Sequence, residues 1–195
     1  MKNISEHNIF VLENTMSETL CDEVVNIFEN GDKFKSRVGL GKILDKSIKD
    51  STEVMLDPEN IIEHSYLYKK LHSQVFSDIK NLVEKYDSMK YFKYYKIDIE
   101  LFKIQRTEPG HVCYAPHIDN SGCPSSKDRM LAFIYYLNTV PEGGGTRFTH
   151  QKVETKAVKG DALFFPPFWT HEHEGLNPSS THKIILNGFI RFRWY

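Results

Sequence analysis

Residues 91–105 read YFKYYKIDIELFKIQ, a run in which aromatic and β-branched residues dominate. That composition is typical of a β-strand with one face in a core. Three further runs of the same kind follow: MLAFIYYLN at 130–138, DALFFPPFW at 161–169 and HKIILNGFIRFRW at 182–194. The second half of the chain is therefore predicted to be built from strands.

Clusters of turn-forming residues separate these runs, at 108–110, 120–128, 142–145 and 177–180. No helical pattern lies between the strands. Short strands joined by turns favour an antiparallel sandwich or barrel over a parallel α/β sheet.

The first half of the chain has a helical periodicity instead. Thr15 and Glu18 have the spacing of a capping box, and Cys21, Val24, Val25 and Phe28 follow at helical intervals until Gly31. Pro58 opens a second helical pattern, which is predicted to end near residues 86–88.

The predicted architecture is mainly β, with N-terminal helices packed on the outside of one barrel. We expect a single domain over residues 1–195, with helical support at 1–90 and the β core at 91–195. The chain has 195 residues, of which 40% are hydrophobic, and this is enough apolar material for one sizeable core.

Charge and cysteine content weigh against several classes of function. The formal net charge of -1 gives no strong nucleic-acid signal and no attraction to an anionic membrane. Three scattered cysteines do not make a disulfide framework, so a reducing cytoplasm is expected. The N-terminus lacks the pattern of a signal peptide, and no apolar run approaches the ~20 residues of a membrane span. The oligomeric state is not readable.

A histidine and an aspartate two residues apart, His117 and Asp119, form the first candidate site. In a strand, residues i and i+2 point to the same face, so both side chains can converge on one point. An imidazole nitrogen with a carboxylate oxygen suits Fe(II), Mn(II) or Zn(II). H-x-D is also common by chance, and a plain exposed strand or turn remains an alternative.

A third ligand is needed, and the segment WTHEHEG at 169–175 offers His171 and His173. Both are expected to face the same side of one strand, and an exposed polar strand end is the alternative for at least one of them. Lys183 follows ten residues after His173, at the head of an apolar run. It is either a snorkelling edge residue or, if it points inward, a cation that requires an anion.

Five segments in this order resemble the Fe(II)- and 2-oxoglutarate-dependent oxygenases, in their prolyl 4-hydroxylase-like branch. They are YAPHID at 114–119, DRMLAFIYYLN at 128–138, PEGGGTRF at 141–148, VKGDALFFPP at 158–167 and HEGLNPSSTHKIILNGF at 173–189. The resemblance covers roughly residues 91–195, and it implies a double-stranded β-helix, or jelly roll.

The resemblance also implies a set of site residues. His117, Asp119 and His173 would be the catalytic metal ligands, leaving three positions for 2-oxoglutarate and O2. Lys183 would bind the far carboxylate of 2-oxoglutarate, and the hydroxyls of Tyr114 and Thr146 would donate to the same carboxylate. The ten-residue interval to Lys183 favours His173 over His171.

The implied reaction converts 2-oxoglutarate to succinate and CO2 and hydroxylates an unactivated C–H bond, with ascorbate as a supporting reductant. Asp119 favours hydroxylation, because related halogenating enzymes lack this carboxylate. The branch points to a prolyl residue in a peptide or protein as the substrate.

Three alternatives stay open at this point. They are a hydroxylase of a free amino acid or other small molecule, a non-catalytic jelly-roll binding module, and a zinc hydrolase that uses some of His171, His173 and His182. The chain has no HExxH motif, which weighs against the hydrolase.

Several neighbouring residues are given structural roles. The glycines of PEGGGTRF are expected to form a tight strand connection. Residues 120–129 are expected to form a substrate-covering loop or a hairpin tip. Phe189 stands where many relatives have tryptophan and should alter only the packing of the wall. Tyr114, Phe168 and Trp169 lie near the expected mouth of the barrel, where they could stack on a proline ring, but they are expected to fill the barrel instead.

Overall fold

The computed structural model describes residues 4–38, 43–56 and 65–193, and within them the chain forms two antiparallel sheets and two α-helices. The helices are α1 (Glu18–Asn30) and α2 (Ser65–Lys85). The strands are β1 (Phe10–Leu12), β2 (Phe34–Lys35), β3 (Thr52–Leu56), β4 (Ile97–Thr107), β5 (Tyr114–His117), β6 (Arg129–Tyr136), β7 (Thr146–Phe148), β8 (Val153–Glu154), β9 (Ala162–Phe165), β10 (His173–Gly175) and β11 (Lys183–Phe192).

The larger sheet has the strand order β1-β9-β6-β11-β4-β3-β2, and the smaller one has the order β5-β10-β7-β8. All the pairings between these strands are antiparallel. The predicted mainly β, antiparallel architecture is confirmed.

Strand β11 lies in the middle of the larger sheet, and its side chains are buried on both faces of that sheet. Ile184 and Leu186 pack in one hydrophobic cluster, whereas Ile185 and Phe189 pack in another. Alternate side chains of a strand point to opposite faces, so the near-continuous apolar run supplies both clusters. One cluster joins the sheet to the helices, and the other fills the space next to the smaller sheet.

Helix α1 begins with a different cap from the predicted one. The side chain of Ser17 accepts a hydrogen bond from the backbone N–H of Leu20, so the capping box at Thr15 and Glu18 is wrong. The hydroxyl of Thr15 donates instead to Asp78 on α2. The helix ends at Gly31, as the sequence predicts, and the Gly31 N–H donates to the Ile27 carbonyl.

Helix α2 packs one apolar face against the larger sheet. Its buried apolar residues recur at helical spacing and are Leu67, Leu71, Val75, Ile79 and Leu82. The predicted start at Pro58 lies outside the described residues. After Lys85 a 3₁₀ helix, Asp87–Tyr94, continues the chain to β4. The prediction of a strand from residue 91 is wrong in its first part, because Tyr91 and Tyr94 are exposed on this 3₁₀ helix.

The first half of the chain also contributes strands, which the sequence analysis did not assign. Strand β1 pairs with β9 at one edge of the larger sheet, and β3 pairs with β4 near the other. These strands are short, so each shows only a weak alternation of apolar and polar residues. In β3 only Val54 and Leu56 belong to the hydrophobic cluster that joins the sheet to the helices.

No helix in the described ranges has both the length and the apolar character needed to cross a membrane. Cys21, Cys113 and Cys123 are all free thiols.

Candidate active site

His117 and Asp119 come together at the end of β5, although not in the way a regular strand would bring them. His117 is the last residue of β5, and Asp119 lies two residues beyond it, outside the strand. The backbone N–H of Asp119 donates to the carbonyl of Pro167 at 3.1 Å. The bond to Pro167 in the loop after β9 therefore holds this segment in place.

His173 comes from the neighbouring strand. It is the first residue of β10 and lies opposite His117 in the register of the pair β10–β5. The centroids of the two rings are 4.3 Å apart. Cross-strand partners lie close enough for side chains to meet, so the pairing brings together residues that are far apart in sequence.

The three side chains form a group with the geometry of a metal site, and it is the only such group of three or more His, Cys, Asp or Glu residues within the described part of the chain. One ligand atom from each of His117, Asp119 and His173 lies within 4.8 Å of the others. The Nε2 atom of each histidine is 3.5 Å from an oxygen of Asp119.

Hydrogen bonds to the backbone orient both histidine rings. The Nδ1 atom of His117 donates to the Ala115 carbonyl at 2.8 Å, and that of His173 donates to the His171 carbonyl at 3.0 Å. A carbonyl can only accept, so each ring carries a hydrogen on Nδ1, and Nε2 is the nitrogen that faces the group. This is the usual arrangement of a metal-binding histidine.

The charges of the group also suit a divalent cation. Burial lowers the pKa of His173 to about 4, so the ring is neutral at neutral pH. Burial alone would raise the pKa of Asp119, but the neighbouring His173 and His117 hold it well below its usual range. Metal ligands must be deprotonated, and both residues are in that state.

His171 is turned away from this group. It belongs to the 3₁₀ helix Trp169–His171, and its Nε2 atom donates to the carbonyl of His7 at 2.8 Å. Its Nδ1 atom is 2.9 Å from the hydroxyl of Thr170. The expectation that both histidines face the same side of one strand is wrong, because β10 begins only at His173. His182 is not part of the group either.

The triad lines a cavity of about 200 Å³ that also contains the side chain of Lys183. Lys183 is 2% exposed, so the snorkelling alternative is wrong. Its Nζ atom lies 3.4 Å from the Cys113 Sγ atom and 3.4 Å from the Gly145 carbonyl oxygen. Among the described residues no carboxylate pairs with it, so a buried cation faces the cavity without an anion.

Thr146 and Tyr114 line the same cavity. The hydroxyl of Thr146 is buried and lies 3.1 Å from that of Tyr136. The Tyr114 ring stacks on His117, with ring centroids 3.5 Å apart. Burial and then the charge of Asp119 raise the pKa of Tyr114 to about 12, so its hydroxyl keeps its proton and can donate it.

Arg129 is a site residue that the sequence analysis missed. Its Nη1 atom donates to the Asp119 carbonyl at 3.0 Å, and its Nε atom donates to Glu100 at 2.8 Å. Its guanidinium lies 3.8 Å from the centroid of the Phe189 ring. Phe189 therefore does more than fill the wall, because it supports a residue that holds Asp119. The spacing of Glu100, Arg129 and Phe189 along the sequence did not indicate this contact, because the three residues lie on different strands and meet only in the folded sheet.

The aromatic residues after β9 lie at the surface. Phe168 is 39% exposed and Trp169 is 73% exposed, so the expectation that they fill the barrel is wrong. The preceding Pro167 carbonyl accepts hydrogen bonds from the backbone of Asp119 and Asn120. The two rings are thus attached to the rim of the site.

Comparison with known families assigns this part of the chain. The model of the 2OG-Fe(II) oxygenase superfamily matches residues 102–191, which include the whole triad and Lys183. The same region resembles prolyl 4-hydroxylase subunit alpha-3 of Homo sapiens and of Bos taurus, each 29% identical over 92 residues. The match covers 44% of this chain and 16% of the relatives' own length.

Solved structures of related oxygenases have the same fold over nearly the whole chain. The viral collagen prolyl hydroxylase of Paramecium Bursaria Chlorella virus-1 is 24% identical, with a TM-score of 0.67 over 95% of this chain and 96% of the other. A Trichoplax adhaerens prolyl hydroxylase in complex with a hypoxia inducible factor peptide fragment is 17% identical, with a TM-score of 0.75 over 97% and 86%. The predicted jelly roll is confirmed, and the predicted resemblance to prolyl hydroxylases agrees with the relatives named above.

Proposed function

We propose that this oxygenase domain is an Fe(II)- and 2-oxoglutarate-dependent dioxygenase that hydroxylates an unactivated C–H bond of a prolyl residue in a peptide or protein. Succinate and CO2 would be the coproducts. One observation carries the proposal: three metal-binding side chains and a buried, anion-free lysine share one cavity.

The donor set fits a ferrous ion. Two imidazole nitrogens and one carboxylate, with both Nε2 atoms turned toward the group, match the two-histidine, one-carboxylate site that leaves positions open for other ligands. When bound together with 2-oxoglutarate and O2, iron supplies the oxidative chemistry that splits CO2 from the oxo acid and hydroxylates a C–H bond.

The residues around the triad would bind 2-oxoglutarate and form an apolar wall. Lys183 neutralises the far carboxylate of 2-oxoglutarate, and Thr146 and Tyr114 donate their hydroxyls to it. The ring of Phe165 packs against His173, with centroids 4.5 Å apart, and makes one wall apolar. Water is thereby kept from the buried side of the site.

Two observations support a peptide substrate. The relatives named above are prolyl hydroxylases, and one solved structure contains a bound peptide fragment. In this chain, the exposed rings of Phe168 and Trp169 provide an aromatic rim against which a peptide can pack. The free thiols are in keeping with the proposed location in a reducing cytoplasm.

The direct test is to incubate the purified protein with Fe(II), ascorbate and 2-oxoglutarate, adding either proline-containing peptides or free amino acids. We expect succinate production that rises with peptide and a product that has gained one oxygen atom. Gain of oxygen by a free amino acid alone would move the substrate to the small-molecule class. Absence of both succinate production and 2-oxoglutarate binding would favour a non-catalytic binding module.

Lys183 provides a test of the cosubstrate site. We expect Lys183→Ala to raise the half-saturating concentration of 2-oxoglutarate at least about tenfold, because a charge-assisted bond is lost, and Lys183→Arg to restore part of it. The measurement is succinate production against 2-oxoglutarate concentration. An unchanged half-saturation would remove Lys183 from the site.

A further inference from the structure

A second charged group lines the cavity and is not used by the chemistry proposed above. We call it the two-lysine cluster, and it consists of Lys49, Glu53 and Lys103, with Gln105 beside them. A single oxygen of Glu53 lies 2.7 Å from the Nζ atom of Lys49 and 3.4 Å from that of Lys103. The side-chain amide of Gln105 donates to the same oxygen.

The cluster is built from adjacent strands and the segment that precedes them. Glu53 and Gln105 are register partners in the pair β3–β4, and Lys103 is two residues before Gln105 on the same face of β4. Lys49 lies just before β3. The two lysines and Gln105 line the cavity, whereas Glu53 does not and lies behind them.

One carboxylate is shared by two ammonium groups, so the cluster carries one positive charge in excess. Lys49 is nearly enclosed, with 5% of its side chain exposed, and is the closer partner of Glu53. Lys103 has 21% of its side chain exposed and is the more distant partner. Lys103 is therefore the cation that is available to a molecule in the cavity.

The pKa shifts of Glu53 and Lys103 also indicate an excess of positive charge in the cluster. Burial and then the charges of Lys103 and Lys49 act on Glu53, and the net effect is a pKa of about 2. Burial and the charge of Lys49 lower the pKa of Lys103 to about 8, although Glu53 and Asp119 oppose this shift. The influence of Asp119 also shows that Lys103 is within electrostatic reach of the triad.

The other charges lining the cavity do not cancel this excess. The guanidinium of Arg129 is paired with Glu100, and Asp119 belongs to the triad. Lys183 is assigned above to 2-oxoglutarate. Arg37, an exposed residue, also lines the cavity and adds a further positive charge.

We propose, on the basis of the proposed function, that the substrate carries a carboxylate next to the group that is hydroxylated, and that Lys103 binds this carboxylate with Arg37 beside it. Lys103 is then a specificity-determining residue. A neutral substrate would leave a partly buried ammonium group without a full counter-charge, whereas an anionic one would provide it.

This carboxylate has two chemical sources. It belongs either to an acidic residue beside the target proline or to the free C-terminus of the substrate. Both present the same charged oxygens to Lys103. A peptide set distinguishes them: blocked peptides centred on proline with Glu, Gln or Lys at each adjacent position, and a Gln peptide with a free C-terminal acid.

The test measures binding of these peptides, carrying a fluorescent label, to the metal-free protein by anisotropy at low and high salt. We expect a carboxylate-bearing peptide to bind about tenfold more tightly than its blocked Gln counterpart, with a preference that shrinks as salt rises. The Glu peptide and the free-acid peptide identify which source is used. Equal binding of all the peptides, or binding of none, would overturn the proposal.

Variants assign the preference to one side chain. Lys103→Gln keeps a donor for Glu53, and we expect it to reduce the preference to about twofold or less. Lys103→Glu should reverse it in favour of the Lys peptide. Lys80→Gln, at an exposed position on α2, is the matched control and should keep the wild-type preference. A preference that survives in both Lys103 variants would overturn the assignment.

Failure of this inference can be told apart from failure of the proposed function. Succinate production without added substrate and 2-oxoglutarate binding are measured on the same samples, and neither requires recognition of a peptide. If both are present but no carboxylate preference is found, this inference fails and the proposed function stands. If both are absent, the proposed function fails, whatever the peptides do.

Discussion

At the scale of single residues, the rings of the two triad histidines are oriented by the same kind of hydrogen bond to the backbone. Each ring donates its Nδ1 hydrogen to the carbonyl of the residue two positions before it, which is Ala115 for His117 and His171 for His173. The backbone thus orients both rings without any other side chain. His171 contributes its carbonyl rather than its ring, so it acts on the site through His173.

Replacement of the two neighbouring histidines should separate these roles. We expect His173→Ala to weaken Mn(II) binding by at least about 100-fold, because a ligand atom is lost. His171→Ala keeps the carbonyl that orients His173 and should bind Mn(II) within about fivefold of wild type. Titration followed by electron paramagnetic resonance measures both. Strong binding by His173→Ala together with loss in His171→Ala would reverse the assignment.

The two-lysine cluster makes a prediction about stability that does not depend on substrate. The pKa of Lys103 is about 8 in the folded protein, below its ordinary value of 10.5. Between these two pH values the unfolded chain binds more protons than the folded one, so the free energy of unfolding should rise as pH increases from 8 to 10.5. We expect a gain on the order of 2 kcal/mol from this residue.

Denaturant titrations across that pH range measure the effect. Lys103→Met removes the titrating group, so its curve should lack this rise, while the Lys80→Gln control should keep it. Lys49, Glu53 and Asp119 face the same group, and all three remain in the Lys103→Met protein. An identical rise in the Lys103→Met protein would assign it to another residue.

At the scale of elements, the connection before β7 shows how glycine positions fix the site. Gly143 has φ +73°, and a Cβ atom there would lie 2.0 Å from the Asn177 carbonyl oxygen. A Cβ atom at Gly145 would lie 1.9 Å from the Thr155 carbonyl oxygen. The chain approaches its neighbours too closely for any side chain, and this packing places Thr146 at the cavity.

Gly110 supplies a matched control, because its φ of +76° is nearly the same but nothing lies within 4 Å of a built Cβ atom. Gly110→Ala should cost about 1–2 kcal/mol for the left-handed backbone alone. Gly143→Ala should cost at least about 2 kcal/mol more, because the neighbouring backbone must move as well. Thermal or urea unfolding compares the two, and equal losses would mean that the collision is relieved at little cost.

Some elements could be predicted from sequence and others could not. Strands β6, β9 and β11 are apolar over most of their length, so composition alone reveals them. Strand β10 has only three residues, His173–Gly175, and it is defined by its partners β5 and β7 rather than by its own sequence. For that reason the separate directions of His171 and His173 were not predictable.

At the scale of the whole molecule, the same distinction applies to the site. The triad residues and Lys183 carry a recognisable order along the chain, so the sequence was sufficient to propose them, and the structure brings them to one cavity. The two-lysine cluster was not predictable, because Glu53 and Lys103 are far apart in sequence and meet only when β3 pairs with β4. Arg129 and Glu100 were missed for the same reason, since β6 and β4 both flank β11.

The helices and the jelly roll share one hydrophobic cluster, which contains residues of α1, α2 and the strands of the larger sheet from β1 to β3. Leu71 on α2 and Leu186 on β11 are both fully buried in it. If this cluster is the main support of the sheet, α2 and β11 belong to one cooperative unit, and this is our proposal for the domain organisation of the chain.

Leu71→Ala tests that proposal. We expect the free energy of unfolding to fall by about 2–5 kcal/mol, the usual cost of a cavity of that size, whereas Ser73→Ala on the exposed face of the same helix should change it by less than about 0.5 kcal/mol. Hydrogen exchange then separates local from global effects. In the Leu71→Ala protein, the most protected amides of α2 and of β11 should lose the same amount of protection. If α2 loses protection while β11 keeps it, the helices unfold separately from the jelly roll, and the chain is not a single cooperative unit.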